Sequence, residues 1–218
     1  LTFSNKPAAE LSTRIAERRA DYAVEVWTGT FHAFGLEIMR LHYEKIGLSP
    51  KIRLLSPSQA VEMLEERLPL LDLRHFHDLR NPASRLKEIL KPISRAKDEL
   101  IGPSRFRELA EQGLTAAHAR LAAAVDKKSR DAAGKAVIAA EKTIEAAQVY
   151  EVYERMLTDA KCVDFADLVM KAALLIESDE AVRQSCWDRY EEILVDEYQD
   201  VNRACARLLK ALRGPKTT

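Results

Sequence analysis

In the stretch ILVDEYQD, Ile193 to Asp200, two carboxylates, Asp196 and Glu197, follow directly on three aliphatic residues. Adjacent carboxylates at the end of a buried strand cost desolvation energy unless something engages them. One use for them is phosphoryl chemistry. A carboxylate at a strand end can hold Mg2+ beside nucleotide phosphates, and a second can orient or deprotonate water. The other reading is an acidic turn that caps the next helix, where negative charge meets the positive end of the helix dipole. The string by itself allows both. HFH, at His75 and His77, has a spacing found in metal sites. It lacks a Cys or acidic cluster beside it, so a metal is the weaker reading there. Arg85, Lys87, Lys91, Arg95 and Lys97 could form a basic stripe that meets phosphates; a solvated face is the plainer reading.

The elements around these residues follow from their patterning. LTF reads as a strand, and SNKPAAELSTRIAERR as a helix with Ser4 or Asn5 at its cap, Pro7 in its first turn, and Ala8, Leu11 and Ile15 on one face. AVEVW, Ala23 to Trp27, alternates like a strand. TGT then leads into a helix with Phe31, Phe34, Ile38 and Leu41 on one side. Strand, helix, strand, helix is the opening of an α/β sheet. From about Ser56 to Lys161 no strand is evident. SPSQAVEMLEERL is a helix capped near Ser56, NPASRLKEILKPISRAKDEL reads as two short helices split by Pro92, and the Ala-rich run from Ser104 to Ala160 is helical. Acid-first i,i+4 pairs (Asp126/Arg130, Asp131/Lys135, Glu151/Arg155) suit exposed helix faces there. Tyr150 and Tyr153 read as packing residues. This middle section is expected to be an all-helical insertion. Afterwards DFADLVMKAALLI reads as a helix capped by Asp164, EEILV (Glu191 to Val195) as a short buried strand, and NRACARLLKALR as a helix. Ligands of doubly wound sheets bind at the carboxyl ends of strands. SNK, TGTFH and DEYQD would all lie at such ends, on one edge of one sheet.

The bulk composition excludes little. The chain has 218 residues, enough for one large or two small domains. Lys+Arg and Asp+Glu are both 34, so net charge is silent about partners, and a local basic stripe remains compatible with nucleic acid. The three scattered cysteines, Cys162, Cys186 and Cys205, fit reduced thiols of a cytosolic protein better than a disulfide framework. No apolar run approaches the roughly 20 residues that span a bilayer, and nothing resembles a signal peptide. LTF at the start and LRGPKTT at the end read as the interior of a longer chain.

LTFSNKPAAELSTRI, VWTGTFHAFGLEIMR, VDFADLV and ILVDEYQDVNRA occur in this order. Together they resemble motifs Ia, Ib and II of the superfamily 1 DNA helicases of the UvrD/Rep/PcrA type. ISRAKDEL and VDFADL also resemble stretches of that family's inserted helical subdomain. The resemblance implies a partial parallel P-loop NTPase (RecA-like) sheet with a large helical insertion. It implies a motor domain 1A over residues 1–55 and 161–218, and a 1B-like insertion over 56–160. The cofactors it implies are ATP and Mg2+. Its partners are single-stranded DNA and duplex junctions, with repair or recombination proteins beside them and no membrane. Asp196 would coordinate the Mg2+ on ATP, Glu197 would be the base that activates water, and Gln199 would lie toward the γ-phosphate or else bond the turn. Phe3, Asn5, Thr30 and His32 would line the single-stranded DNA track, where phosphate contacts and stacking combine. On the residues alone, Phe3 fits a core and His32 a helix start.

The departures matter too. The family's phosphate loop, GxxGxGKT, is absent from these residues, as are the downstream γ-phosphate arginines, so the fragment alone is expected not to hydrolyse ATP. Pro7 stands where a small residue is expected, and the Ala-rich section from Leu114 to Ala147 is longer than in the best-known members. The helicase subunit of a helicase–nuclease recombination complex is a close variant of this reading. A degenerate module that binds DNA or protein without turnover belongs to a different class, and the intact Asp196–Glu197 pair argues against it.

Overall fold

The computed structural model describes residues 1–18, 26–67, 71, 73–76 and 82–215. In chain order its helices are α1 (Asn5–Arg18), α2 (Phe31–Leu41), α3 (Pro57–Glu65), α4 (Pro82–Asp98), α5 (Pro103–Ala122), α6 (Lys127–Asp159), α7 (Asp167–Ser178), α8 (Glu180–Arg189) and α9 (Arg203–Leu212). Strands β1 (Arg53–Leu54) and β2 (Cys162–Val163) form a parallel two-stranded sheet. The chain divides into two compact units. The first holds Leu1–Ile52, Asp98–Leu100 and Phe165–Thr218; the second holds Arg53–Lys97 and Ile101–Asp164.

The first unit is built around α7, which is buried along most of its length. Phe31, Phe34 and Ile38 of α2 and Leu208 and Leu212 of α9 share its apolar core. Leu41, expected on the same face, is 55% exposed, because it lies at the last turn of α2. Of α1, Ala8 is buried, Ile15 is half-buried and Leu11 faces out.

The expected strands are reduced here to backbone pairing. The Thr2 amide donates to the Gly29 carbonyl (3.0 Å) and the Phe31 amide to the Thr2 carbonyl (3.2 Å), a parallel bridge between Thr2 and Thr30. On the other side the Leu1 nitrogen donates to Leu194 O (2.7 Å), and the Asp196 amide donates back to Leu1 O (3.0 Å). That alternation is the parallel pattern again. EEILV is therefore extended and paired at its end but is not a regular strand. Nor is it a buried run. Ile193 and Val195 pack against the core while Leu194 is 80% exposed, the alternation of a chain covered on one face. Of AVEVW only Val26 and Trp27 fall among the described residues, and they belong to no regular strand.

The second unit has a separate core. Leu86, Ile89, Ile93, Leu64 and Val149 pack with Tyr150 and Tyr153, both fully enclosed, so the tyrosines are packing residues. The Tyr150 hydroxyl donates to the Ile101 carbonyl at 3.1 Å. Helix α3 starts with the capping box expected at Ser56, with Gln59 closing it from the third position. Helices α5 and α6 pack along Ala110, Ala117, Ala133 and Val137. Pro92 does not split its segment: α4 runs through it. A helix-interior proline costs about 3 kcal/mol. Leu86, Ile89, Ile93 and Ala96 are buried together on one face of α4. At about 1.5–3 kcal/mol per large aliphatic side chain, that burial outweighs the proline.

The charges settle differently from the sequence pattern. Lys97 leaves the expected basic stripe entirely. It is fully buried, 2.6 Å from Glu154 and 2.8 Å from Asp164. Lys87, Lys91 and Arg95 stay exposed on α4. Asp164, committed to Lys97, does not cap α7, whose preceding residue is Ala166. Asp126 caps α6 by accepting from the Ser129 amide at 2.8 Å. Glu151 takes the guanidinium of Arg107 rather than that of Arg155. His75 pairs with Glu141 at 2.9 Å and its amide bonds Glu145, while His77 lies outside the described residues. No group of three or more metal-ligating side chains occurs among the described residues. No described helix is long and apolar enough to cross a membrane.

Candidate active site

The paired segment Leu1–Thr2 holds two loops beside it, both in the first unit. On one side hangs the acidic turn. The Asp196 amide is tied to Leu1, and an Asp196 carboxylate oxygen accepts the Glu197 amide at 3.0 Å. Glu197 has φ 52° and ψ 45°, a left-handed conformation that an L side chain rarely holds. This turns the chain sharply into the single 3-10 turn Tyr198–Asp200. The side-chain amide of Gln199 donates to the Glu197 carboxylate. Gln199 thus bonds a side chain of the turn rather than its backbone. Asp196, Glu197 and Gln199 are all exposed. Helix α9 begins just beyond, capped not by these carboxylates but by Asn202, which accepts the Cys205 amide at 2.8 Å. The acidic residues are therefore not spent as a helix cap.

Two exposed oxygen-rich side chains suit Mg2+, which binds through one or two carboxylates and takes its other ligands from phosphates and water. The donor set fits the metal side of a nucleotide site. A glycine-rich phosphate cradle is not among these residues.

On the other side of Leu1–Thr2 lies the start of α2. Thr30 is the N-cap of α2, accepting the Ala33 amide at 3.1 Å, and is buried together with its bridge partner Thr2. His32, in the first turn of α2, stacks on Phe165 with ring centroids 3.9 Å apart and planes within 17°. Burial pushes the His32 imidazole below its ordinary pKa. Phe165 is 56% exposed and so leaves much of its surface open to solvent. Phe3 is half-buried, packed against the core with its ring 5.0 Å from that of Phe31. Asn5 opens α1 and is exposed.

The structure thus joins Thr30 and Asp196 through consecutive residues of one segment. It adds Phe165, which the sequence did not single out: VDFADL reads as a helix start, and nothing in it reveals a stacking partner 133 positions away. The exposed ring of Phe165, stacked on the half-buried His32, provides a surface on which a planar base can stack.

The profile of the UvrD/REP helicase N-terminal domain matches residues 1–218. The chain is 27% identical to DNA helicase II of Haemophilus influenzae over 218 residues, covering 98% of this chain and 25% of that protein. It is 26% identical over 214 residues to the ATP-dependent DNA helicase PcrA of Staphylococcus aureus, 97% of this chain and 24% of the relative. Over 206 residues it is 31% identical to PcrA of Leuconostoc citreum, 94% and 23% of the two chains. The chain spans about a quarter of the length of the curated relatives it matches.

Proposed function

Since the chain belongs to the UvrD/REP helicase N-terminal domain family, we propose that it is part of the first motor domain of an ATP-dependent DNA helicase. The whole protein steps along single-stranded DNA and separates duplex at junctions, in repair, recombination or replication. The first compact unit, Leu1–Ile52 with Asp98–Leu100 and Phe165–Thr218, is read as a partial RecA-like 1A domain, and the second, Arg53–Lys97 with Ile101–Asp164, as a 1B-like insertion, so the boundaries lie a few residues from the 1–55, 56–160 and 161–218 expected from the sequence. The observation that carries this reading is the segment Leu1–Thr2, bonded to Asp196 on one side and to Thr30 on the other. A motor needs its hydrolysis site and its nucleic-acid track mechanically joined, and here consecutive residues do that.

Bound MgATP supplies the transferable phosphoryl group and a cation that neutralises charge developing on it. Asp196 would hold the cation. Glu197 takes the proton of the attacking water, and its exposure on a sharp turn lets it reach past the protein surface. Gln199, whose side-chain amide donates to the Glu197 carboxylate, would steady that group when a nucleotide is bound. Phe3, Asn5, His32 and Phe165 line the DNA track, the aromatic rings offering stacking faces and Asn5 meeting the backbone, while Thr30, expected on the track from the sequence, is buried and serves it by capping α2.

The test is Glu197→Gln in the full-length protein. DNA-stimulated hydrolysis should fall by at least about 100-fold, the contribution typical of a general base, while nucleotide binding persists. A variant that hydrolyses ATP near the wild-type rate removes Glu197 from the mechanism.

A further inference from the structure

We propose that Asp98 is a positioning residue for the acidic loop and acts through Asn202. The inference deepens the motor reading and rests on Glu197 being its base.

The loop from Asp196 to Val201 is nearly self-contained. Its internal bonds run from Glu197 N to the Asp196 side chain, from Asp200 N to Glu197 O at 2.9 Å, and from Val201 N to Tyr198 O at 3.2 Å. None of these ties the loop to the body of the protein. Residues Asp196 to Asp200 are exposed, so packing does not hold them, and only Val201 touches the core. Yet Glu197 keeps a left-handed backbone, which a residue with a side chain sustains only where its surroundings enforce it.

Long-range bonds hold the loop at its two ends. In front, the Asp196 amide is fastened to Leu1. Behind, the side-chain amide of Asn202 donates to an Asp98 carboxylate oxygen at 3.1 Å. The carbonyl oxygen of the same side chain accepts the Cys205 amide at 2.8 Å and caps α9. Only one orientation of the Asn202 amide makes both bonds, and the Cys205 amide, which only donates, and the Asp98 carboxylate, which only accepts, both select it. Asp98 therefore ties the residue directly behind the loop to a second element, the end of α4.

Asp98 is itself anchored. It belongs with Glu99 and Leu100 to the first unit, and Leu100, at φ 58°, packs against that unit's core. Its charge is felt at the start of α9. The Cys205 thiol is pushed up to about 12, first by burial and then by the nearby Asp98 carboxylate. A negative group at a helix N-terminus is also the favourable arrangement.

The experiment uses the full-length protein with three variants, Asn202→Asp, Asp98→Asn and the double exchange. Asn202→Asp keeps a good helix cap but sets two acceptor-only carboxylates face to face. In the double exchange the amide at 98 donates to the carboxylate at 202, whose second oxygen still caps Cys205. Single-stranded-DNA-stimulated ATPase is measured over a range of ATP concentrations, alongside binding of a fluorescent nucleotide. For Asn202→Asp we expect kcat to fall about tenfold, the low end for losing a group that orients a reactive one. The KM for ATP and nucleotide binding should stay within twofold. Asp98→Asn retains an accepting oxygen and should keep most of the rate, and the double exchange should return kcat to within twofold of wild type. Asn202→Asp with wild-type kcat overturns the inference, as does a loss confined to KM or a double exchange that recovers nothing. Wild-type protein without turnover overturns the motor reading itself, and this inference with it.

Discussion

Replacing Gly35 with alanine should push α2 away from α7. A Cβ at this buried position would lie 2.3 Å from the carbonyl oxygen of Leu168 and 2.8 Å from its carbon. Close carbon–oxygen contacts that recur in proteins begin at about 3.3 Å, so the overlap is about 1 Å. The clashing atoms are backbone and cannot swing aside, so one helix must move. Overpacking a core typically costs about 1–3 kcal/mol, and a rigid backbone clash belongs at the upper end. Alanine recovers about 1 kcal/mol of helix propensity over glycine. The net loss is then about 2 kcal/mol, or about 4–8 °C in Tm for a chain of this size. Gly113 in α5 and Gly134 in α6 are the controls, because a Cβ at either meets nothing within 4 Å. Alanine at each should stabilise by about 0.5–1 kcal/mol. Urea unfolding followed by far-UV circular dichroism would measure all three, with the slope checked for constancy. Gly35→Ala as stable as wild type would mean that α2 and α7 do not approach as closely as the structure has them. The reasoning from that contact would then fail.

Lys97→Met leaves the carboxylates of Glu154 and Asp164 facing a buried site without their ammonium, at a cost of about 3–5 kcal/mol in a denaturation series; a change below about 1 kcal/mol would deny the buried ion-pair cluster. Phe165→Ala should weaken single-stranded DNA binding by the full-length protein by about 1–3 kcal/mol. It should leave ATP binding unchanged, and unaltered DNA affinity in a titration would take Phe165 off the track. Stability should also respond to pH through His32, whose pKa burial depresses. The unfolded chain binds the proton more readily, so this contribution is complete above the ordinary histidine pKa of about 6.5. It is lost as pH falls through the lower folded value. Comparing unfolding midpoints of wild type and His32→Asn at pH 7.5 and pH 5.5 tests this, and equal acid sensitivity of the two would refute it.

What the sequence by itself determined is what neighbours along the chain can satisfy. The box of Ser56 and Gln59 closes within one turn, and the face of Phe31, Phe34 and Ile38 follows from helical spacing. The order of the quoted motifs likewise sufficed to point to the family whose profile spans the chain. The tertiary structure alone decided the fates that depend on distant partners. Lys97 reads as one more cation of a solvated stripe until Asp164, 67 positions on, draws it into the interior. Asp164 is thereby lost as the cap of α7. Pro92 reads as a break until the buried face of α4 holds the helix through it. His32 reads as a helix-start residue until Phe165 covers its ring. Glu197 reads as one carboxylate of a pair, and nothing local to it announces a left-handed backbone held by anchors at Leu1 and Asp98. Caps and helix faces are settled over three or four residues, where the chain is its own partner. Burial of a charge, stacking of a ring and retention of strain each need a group that only the fold brings near.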